Sequence, residues 1–316
     1  MSLYFIEMEK FVDRYMNKLI ERQMHSLQKN SPTGVSFQGS ELNVRDKARP
    51  LYRKILKGIA SFNNRDVALP RFLIVGCQKC GTSSLHHYLA QHPSVWSPKK
   101  KELHFFDYYY DLGVPTYKKH FKEQPRDIDN LLVGEATPEY IFHPYAAERI
   151  KYVLPNNKAI VLLRNPIERA FSAWRMGIQQ GWETLSFEDA IAAETGRIVP
   201  DLHKMSLDEY YYGYDWNHYS YLLRGHYYDQ IDNWLLHFNR ENILVISAER
   251  FFTNTKSEFR KVCDFLELDE WYPEEFKNMF VGVNDELSTT TRHLLESYYQ
   301  PSNKKLYELI QDDYEW

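Results

Sequence analysis

The stretch Arg71-Phe-Leu-Ile-Val-Gly76-Cys77-Gln78-Lys79-Cys80-Gly81-Thr82-Ser83-Ser84-Leu85 decides how this chain is read. Its first six residues form an apolar run that predicts a buried strand. Gly76 and Gly81, five residues apart, bracket a loop whose backbone can curl closely around an anion. The helix expected from Thr82 to about Gln91 points its free N–H groups and its positive dipole end at the same place. Thr82, Ser83 and Ser84 add hydroxyl donors, and Lys79 adds a full charge. Lys79, Cys80, Gly81, Thr82, Ser83 and Ser84 are therefore the candidate phosphate-binding residues.

Outward from this loop, the same alternation repeats. Leu131–Val133, Ala159–Arg164 and Ile243–Ser247 read as strands, and helices follow at Pro166–Gln180 and Thr255–Leu266. Strands alternating with helices predict parallel βαβ units. The expected fold is α/β, a P-loop-like three-layer sandwich with a central parallel sheet flanked by helices, over residues 70–316. Residues 1–69 are expected to form a helical N-terminal extension. Phe5, Met8, Val12, Tyr15, Leu19 and Ile20 have helical spacing there. The first 60 residues hold 11 Lys/Arg against 6 Asp/Glu, so the remainder is acidic.

The loop departs from the nucleoside-triphosphate form G-x-x-x-x-G-K-[ST], since Thr82 follows the second glycine and Lys79 precedes it by two residues. A kinase-like or other nucleotide-binding P-loop module would also want a carboxylate for Mg²⁺. The strand Ala159–Leu163 runs instead into Arg164-Asn165-Pro166, and a cation at a strand end suggests a second anionic group on the ligand.

These motifs resemble those of sulfotransferases that use 3′-phosphoadenosine 5′-phosphosulfate (PAPS). Lys79-Cys-Gly-Thr-Ser-Ser84 looks like their 5′-phosphosulfate loop. Val161-Leu-Leu-Arg164-Asn-Pro-Ile-Glu-Arg169-Ala-Phe-Ser172 looks like their 3′-phosphate motif, with the arginine and the serine eight residues apart. Lys101-Glu102-Leu-His104-Phe105-Phe106-Asp107 resembles a segment of the heparan-sulfate-type enzymes. Arg224-Gly225-His226 and Pro301-Ser-Asn303 match later segments, so the likeness covers about residues 70–312. The resemblance implies an enzyme that moves a sulfuryl group from PAPS to an acceptor hydroxyl and releases 3′-phosphoadenosine 5′-phosphate (PAP), with no metal. It implies Glu102 as base, with His104 orienting the acceptor or sharing that role. It also implies Lys79 at the departing phosphate, and Arg164 and Ser172 on the 3′-phosphate.

Departures bear on the acceptor. Where glycosaminoglycan members often carry Glu-Lys-[ST]-Pro, this chain has Glu135-Ala136-Thr137-Pro138, and residues 280–292 hold Arg292 as their one cation. The stretch Asp208–Asp215 is acidic and rich in tyrosine. A polyanionic sugar chain wants more positive charge nearby. The expected acceptor is therefore a small molecule or a carrier-bound acyl hydroxyl, with a sugar or glycosaminoglycan O- or N-sulfotransferase as the alternative. The basic extension would suit docking to a carrier protein or a neighbouring synthase domain.

Composition narrows the rest. Lys+Arg number 39 and Asp+Glu 43, a net charge of −4, which counts against a whole-surface nucleic-acid binder. The longest aliphatic runs, such as Ala159–Leu163, fall far short of the roughly 20 residues a membrane span needs. Three cysteines cannot build a disulfide framework, so a reducing, cytoplasmic compartment is expected. Cys77 and Cys80 form a C-x-x-C that also admits a redox reading. Phe105 and Phe106 read as core. Tyr210–Tyr212, Tyr214 and Trp216 fit either core or an acceptor platform, and Lys99–Lys101 either a solvated face or a steering patch.

Overall fold

The structure, a computed structural model, describes residues 67–125, 130–276 and 287–316. The helices and loop expected within residues 1–66 lie outside the described residues, as do residues 280–286 of the cation-poor segment. In chain order the described elements begin with β1 (Phe72–Gly76), α1 (Thr82–Leu89), β2 (Val95–Trp96), α2 (Val114–Lys118), β3 (Leu132–Ala136), α3 (Ala146–Val153) and β4 (Lys158–Leu163). They continue with α4 (Pro166–Gln180), α5 (Phe187–Leu207), α6 (Tyr214–Tyr219), α7 (Tyr227–Leu235), β5 (Ile243–Ser247), α8 (Ala248–Thr253), α9 (Thr255–Leu266) and α10 (Thr289–Ile310).

The strands form one sheet in the order β2-β3-β1-β4-β5, every pair parallel. Helices flank it, as the strand–helix alternation predicts. Strands covered on both faces read as unbroken apolar runs. Accordingly Leu73, Ile74 and Val75 in β1, and Ala159 to Leu163 in β4, are fully buried. From β1 the chain runs toward the β2 edge, and from β4 toward the β5 edge. The crevice beyond the carboxyl ends of β1 and β4 is thus the switch point of the topology, where ligands bind in open α/β sheets. The β1–β4 register slips between Ile74 and Gly76, and the Cys77 N–H donates to the Leu162 carbonyl at 2.8 Å.

Local chemistry sets the turns at this crevice. After β4, Asn165 caps α4: its side-chain oxygen accepts from the N–H of Ile167 at 3.0 Å and of Glu168 at 3.3 Å, with Pro166 in the first turn. That abrupt start leaves Arg164 at the mouth. The core is rich in rings, including a Phe105–Tyr117 stack at 4.6 Å and a perpendicular Phe106–Tyr140 pair at 5.5 Å. A second apolar cluster joins Ile167 and Phe171 of α4, Phe187 and Ile191 of α5, and Leu295 and Tyr299 of α10. The tail after α10 folds back, with Arg250 of α8 binding Asp312 at 2.7 Å and the Asp313 carbonyl at 2.6 Å. The Trp316 N–H donates to the Tyr307 hydroxyl at 3.0 Å.

Candidate active site

The loop after β1 is shaped by two glycines at close approaches. A β-carbon on Gly76 would lie 2.3 Å from Ile141 Cγ2. One on Gly81 would lie 2.6 Å from Phe252 Cζ, and Gly81 has φ +90, a left-handed conformation that glycine alone adopts without cost. Lys79 is also left-handed, with φ 69. Helix α1 starts with no side-chain cap, and the N–H groups of Thr82 and Ser83 meet no acceptor among the described residues. Arg164 Nη1 reaches the Lys79 carbonyl at 3.4 Å, and Lys79 Nζ lies 3.7 Å from Met176 Sδ. Burial holds the Lys79 ammonium below its ordinary pKa, and the charges of Arg164 and Arg175 press it further down. Crowded cations, a concave backbone and an uncapped helix start together fit a phosphorylated ligand.

The structure brings Arg164 against the Lys79 loop. Ser172 lies along α4, half-buried, and Arg164 is half-buried before it. Glu168 stands between Arg164, at 3.9 Å, and Arg292, at 2.6 Å. Cys80 is fully buried, and its thiol turns to the Gln78 carbonyl. Ser84 stands, like Thr82, buried in the first turn of α1. Its side chain is buried and bonds to Tyr88, and its N–H donates to the Gly81 carbonyl at 3.0 Å.

On the other side of Lys79, residues 101–107 are pinned to the end of β3 by the Glu102 N–H, which donates to the Ala136 carbonyl at 2.9 Å. Glu102 and His104 both adopt left-handed backbone, with φ 60 and 53. Such conformations cost on the order of 1 kcal/mol or more each and collect at functional sites. His104 Nδ1 donates to Asp107 at 2.7 Å, and its ring stacks on Tyr108 at 4.6 Å. Its Nε2 lies 3.8 Å from one Glu102 oxygen, while the other accepts from Lys101 Nζ at 2.5 Å. Burial would lower the pKa of His104, but the hydrogen bond and charge of Asp107, aided by Glu139 and Glu102, outweigh it and hold the imidazole above its ordinary value.

Glu102 and His104 face a cavity of about 220 Å³. Gln78 and Met176 bound it on the donor-loop side, and Tyr108, Trp182, Tyr212 and Tyr221 contribute ring walls. Glu139 and Arg224 also line it, as a buried ion pair with contacts of 2.8 and 2.7 Å. Arg224 donates further to the Asn217 carbonyl at 3.1 Å and lies over Phe142 at 4.2 Å. Its charge is thus matched within the protein. The tyrosine-rich segment divides: Tyr212 lines the cavity, Trp216 is core stacked on Phe142 at 4.3 Å, and Tyr214 is exposed. The lysine run divides too, since Lys101 turns to Glu102 while exposed Lys99 pairs with Glu123 at 3.0 Å. Glu135, the acid at the end of β3, accepts from the hydroxyls of Tyr117, Thr137 and Tyr140 at 2.5–2.8 Å, so its oxygens are already engaged. Asn217, Met176 and the Glu139–Arg224 pair were not singled out from the sequence for this site. The one available signal was the Arg224-Gly225-His226 segment.

Comparison with known proteins gives a consistent result. The family model described as "Sulfotransferase domain" matches residues 69–294. The membrane-associated sulfotransferase kil1 of Dictyostelium discoideum is 29% identical over 315 residues, covering 79% of this chain and 67% of that protein. Heparan sulfate glucosamine 3-O-sulfotransferase 6 of Mus musculus is 28% identical over 271 residues, covering 78% of this chain and 73% of its own. A crystal structure of a sulfotransferase from Alicyclobacillus acidocaldarius superposes with TM-score 0.64 at 31% identity, over 78% of this chain and 98% of that one.

Proposed function

Because the chain belongs to the sulfotransferase family and is a PAPS-dependent enzyme of it, we propose that it sulfates the hydroxyl of a small, uncharged acceptor, with Glu102 as general base. The observation that carries this reading is the cavity itself. At one wall stand Glu102 and His104, and at another stand Gln78 and Met176 beside the Lys79 loop.

When bound, PAPS supplies an activated sulfuryl group. Lys79 and the N–H groups of Thr82 and Ser83 hold the 5′-phosphate and offset the charge that grows on its bridging oxygen. Arg164 and Ser172 take the 3′-phosphate. Glu102 accepts the proton of the acceptor hydroxyl, a role worth roughly 10²–10⁴ in rate. His104 is assigned the orienting role, because its Nδ1 is already engaged by Asp107. Held by that carboxylate and by the Tyr108 ring, it donates from Nε2 and orients the acceptor.

The acceptor reading is supported by charge. The cavity holds two carboxylates, Glu102 and Glu139, and its one arginine is already paired. A sugar hydroxyl is the second reading, favoured by the 28% identity to a heparan sulfate glucosamine 3-O-sulfotransferase. A reducing compartment, the cytoplasm, belongs to the proposal on the strength of three free, buried thiols.

Turnover of labelled PAPS against a panel of neutral alcohols, acyl-chain hydroxyls and heparan sulfate tests the acceptor. The proposal expects product with a neutral hydroxyl, and product with heparan sulfate alone would overturn it. Calorimetry with EDTA present should show PAP binding in the micromolar range, and absence of binding would remove the donor site.

A further inference from the structure

The C-x-x-C of the donor loop has no part in the reaction just described. Cys77 is fixed to β4 through its N–H, and the Cys80 N–H donates to the Cys77 carbonyl at 3.2 Å, closing a turn. A closed turn holds the first and fourth α-carbons under about 7 Å apart, the separation a disulfide can bridge. Both thiols are free and buried, and they hydrogen-bond to each other. The two residues inside the turn are Gln78, which lines the acceptor cavity, and Lys79.

A second observation concerns Arg169 of α4, which is fully buried. Its Nη2 donates to the Tyr221 carbonyl, but Nε and Nη1 meet no acceptor among the described residues. Its charge acts on both thiols. Buried donors without acceptors beside a thiol favour the thiolate. Burial pushes the Cys80 thiol up, but the hydrogen bond from Cys77 and the charges of Arg169 and Arg164 outweigh it, so Cys80 titrates below the ordinary range. Burial pushes Cys77 well up, so it keeps its proton. The third cysteine, Cys263 of α9, is pushed up to about 11 by burial.

We propose that Cys77 and Cys80 form a reversible oxidation site whose disulfide closes the donor loop against PAPS; the proposal rests on the reading of this loop as the donor site. The oxidant is a hydroperoxide. The Cys80 thiolate attacks one peroxide oxygen, the O–O bond breaks, and Cys80 becomes a sulfenic acid. The Cys77 sulfur then attacks the Cys80 sulfur, and hydroxide leaves with the Cys77 proton as water. With hydrogen peroxide, two thiols and one peroxide give one disulfide and two waters, the two electrons passing to the peroxide. The crosslink draws in the turn and shifts the Lys79 carbonyl from Arg164. A dithiol reductant reverses it.

The experiment treats the full chain with hydrogen peroxide. The 77–80 peptide is followed by mass spectrometry without reduction, and PAP affinity by calorimetry. Expected are loss of two hydrogens from that peptide, a tenfold or greater fall in PAP affinity, and recovery with dithiothreitol. Cys77→Ser and Cys77→Ala should bind PAP and lose the reversible response, whereas Cys263→Ser should keep it. No intramolecular crosslink at excess peroxide would overturn the proposal, as would a crosslinked chain that binds PAP as the reduced one does. A reduced chain with no PAP affinity would instead sink the donor-site reading, and the gating with it, whatever the mass shift.

Discussion

At the scale of single residues, the site turns on which side chain takes the proton. Glu102→Gln keeps size and hydrogen bonding but removes the basic carboxylate, so kcat should fall about 10²-fold or more with PAP affinity nearly unchanged. His104→Asn should cost less in kcat than Glu102→Gln and should shift the pH–rate profile, because Asp107 holds the imidazole above its ordinary pKa. A collapse of kcat in His104→Asn beside a mild Glu102→Gln would exchange the two roles. Arg164→Ala should weaken PAP binding and narrow the preference for PAPS over adenosine phosphosulfate lacking the 3′-phosphate. Charge-assisted contacts of this kind are worth about 1.5–3 kcal/mol, and unchanged discrimination would contradict the assignment. Lys79, Arg164 and Glu102 were legible because each belongs to a contiguous motif. Asn217 was not, since only the fold brings it to Tyr108, whose hydroxyl donates to it at 2.8 Å, and for Tyr212 the sequence left core and acceptor platform open.

Among elements, the longer strands were readable in the sequence and the short edge strand β2 was not. Ile243–Ser247 was read to the residue and β4 to within one, because long buried runs between turn signals are unambiguous. β2 has two residues, too few to set a period. Helices α5 and α10 continue through Pro200 and Pro301, where sequence reasoning expects an end. Within α5, fully buried Glu194 accepts from the N–H groups of Leu222 and Leu223 at 2.6 and 2.9 Å. Burial pushes its pKa up to about 7 from the ordinary 4.5. The unfolded chain releases this proton near pH 4.5 and the folded chain near 7. Between those values the folded state binds more protons, so stability falls as pH rises. The loss should reach on the order of 3 kcal/mol by neutrality, and Glu194→Gln should flatten it in urea unfolding at pH 5 and 7.5. Equal slopes in both proteins would disprove this.

Across the whole molecule, charge is divided between the two halves of the site. The donor loop gathers Lys79 and Arg164, whereas the acceptor cavity pairs its arginine internally. Raising ionic strength should therefore weaken donor binding while leaving kcat/KM for a neutral acceptor nearly constant. A steep salt dependence on the acceptor side would indicate an anionic acceptor. Among the described residues no helix is long and apolar enough to cross a membrane. One contact at the far end of the chain also reaches this balance. Arg250, clamped by Asp312 and Asp313, sits two residues before Phe252, whose ring closes on Gly81. Residues 312 and 313 thus brace, through Arg250 and Phe252, the loop that begins α1. Asp312→Ala should slacken it, raising the KM for PAPS before the melting temperature moves, so a change far from the loop in sequence would be read out in donor binding.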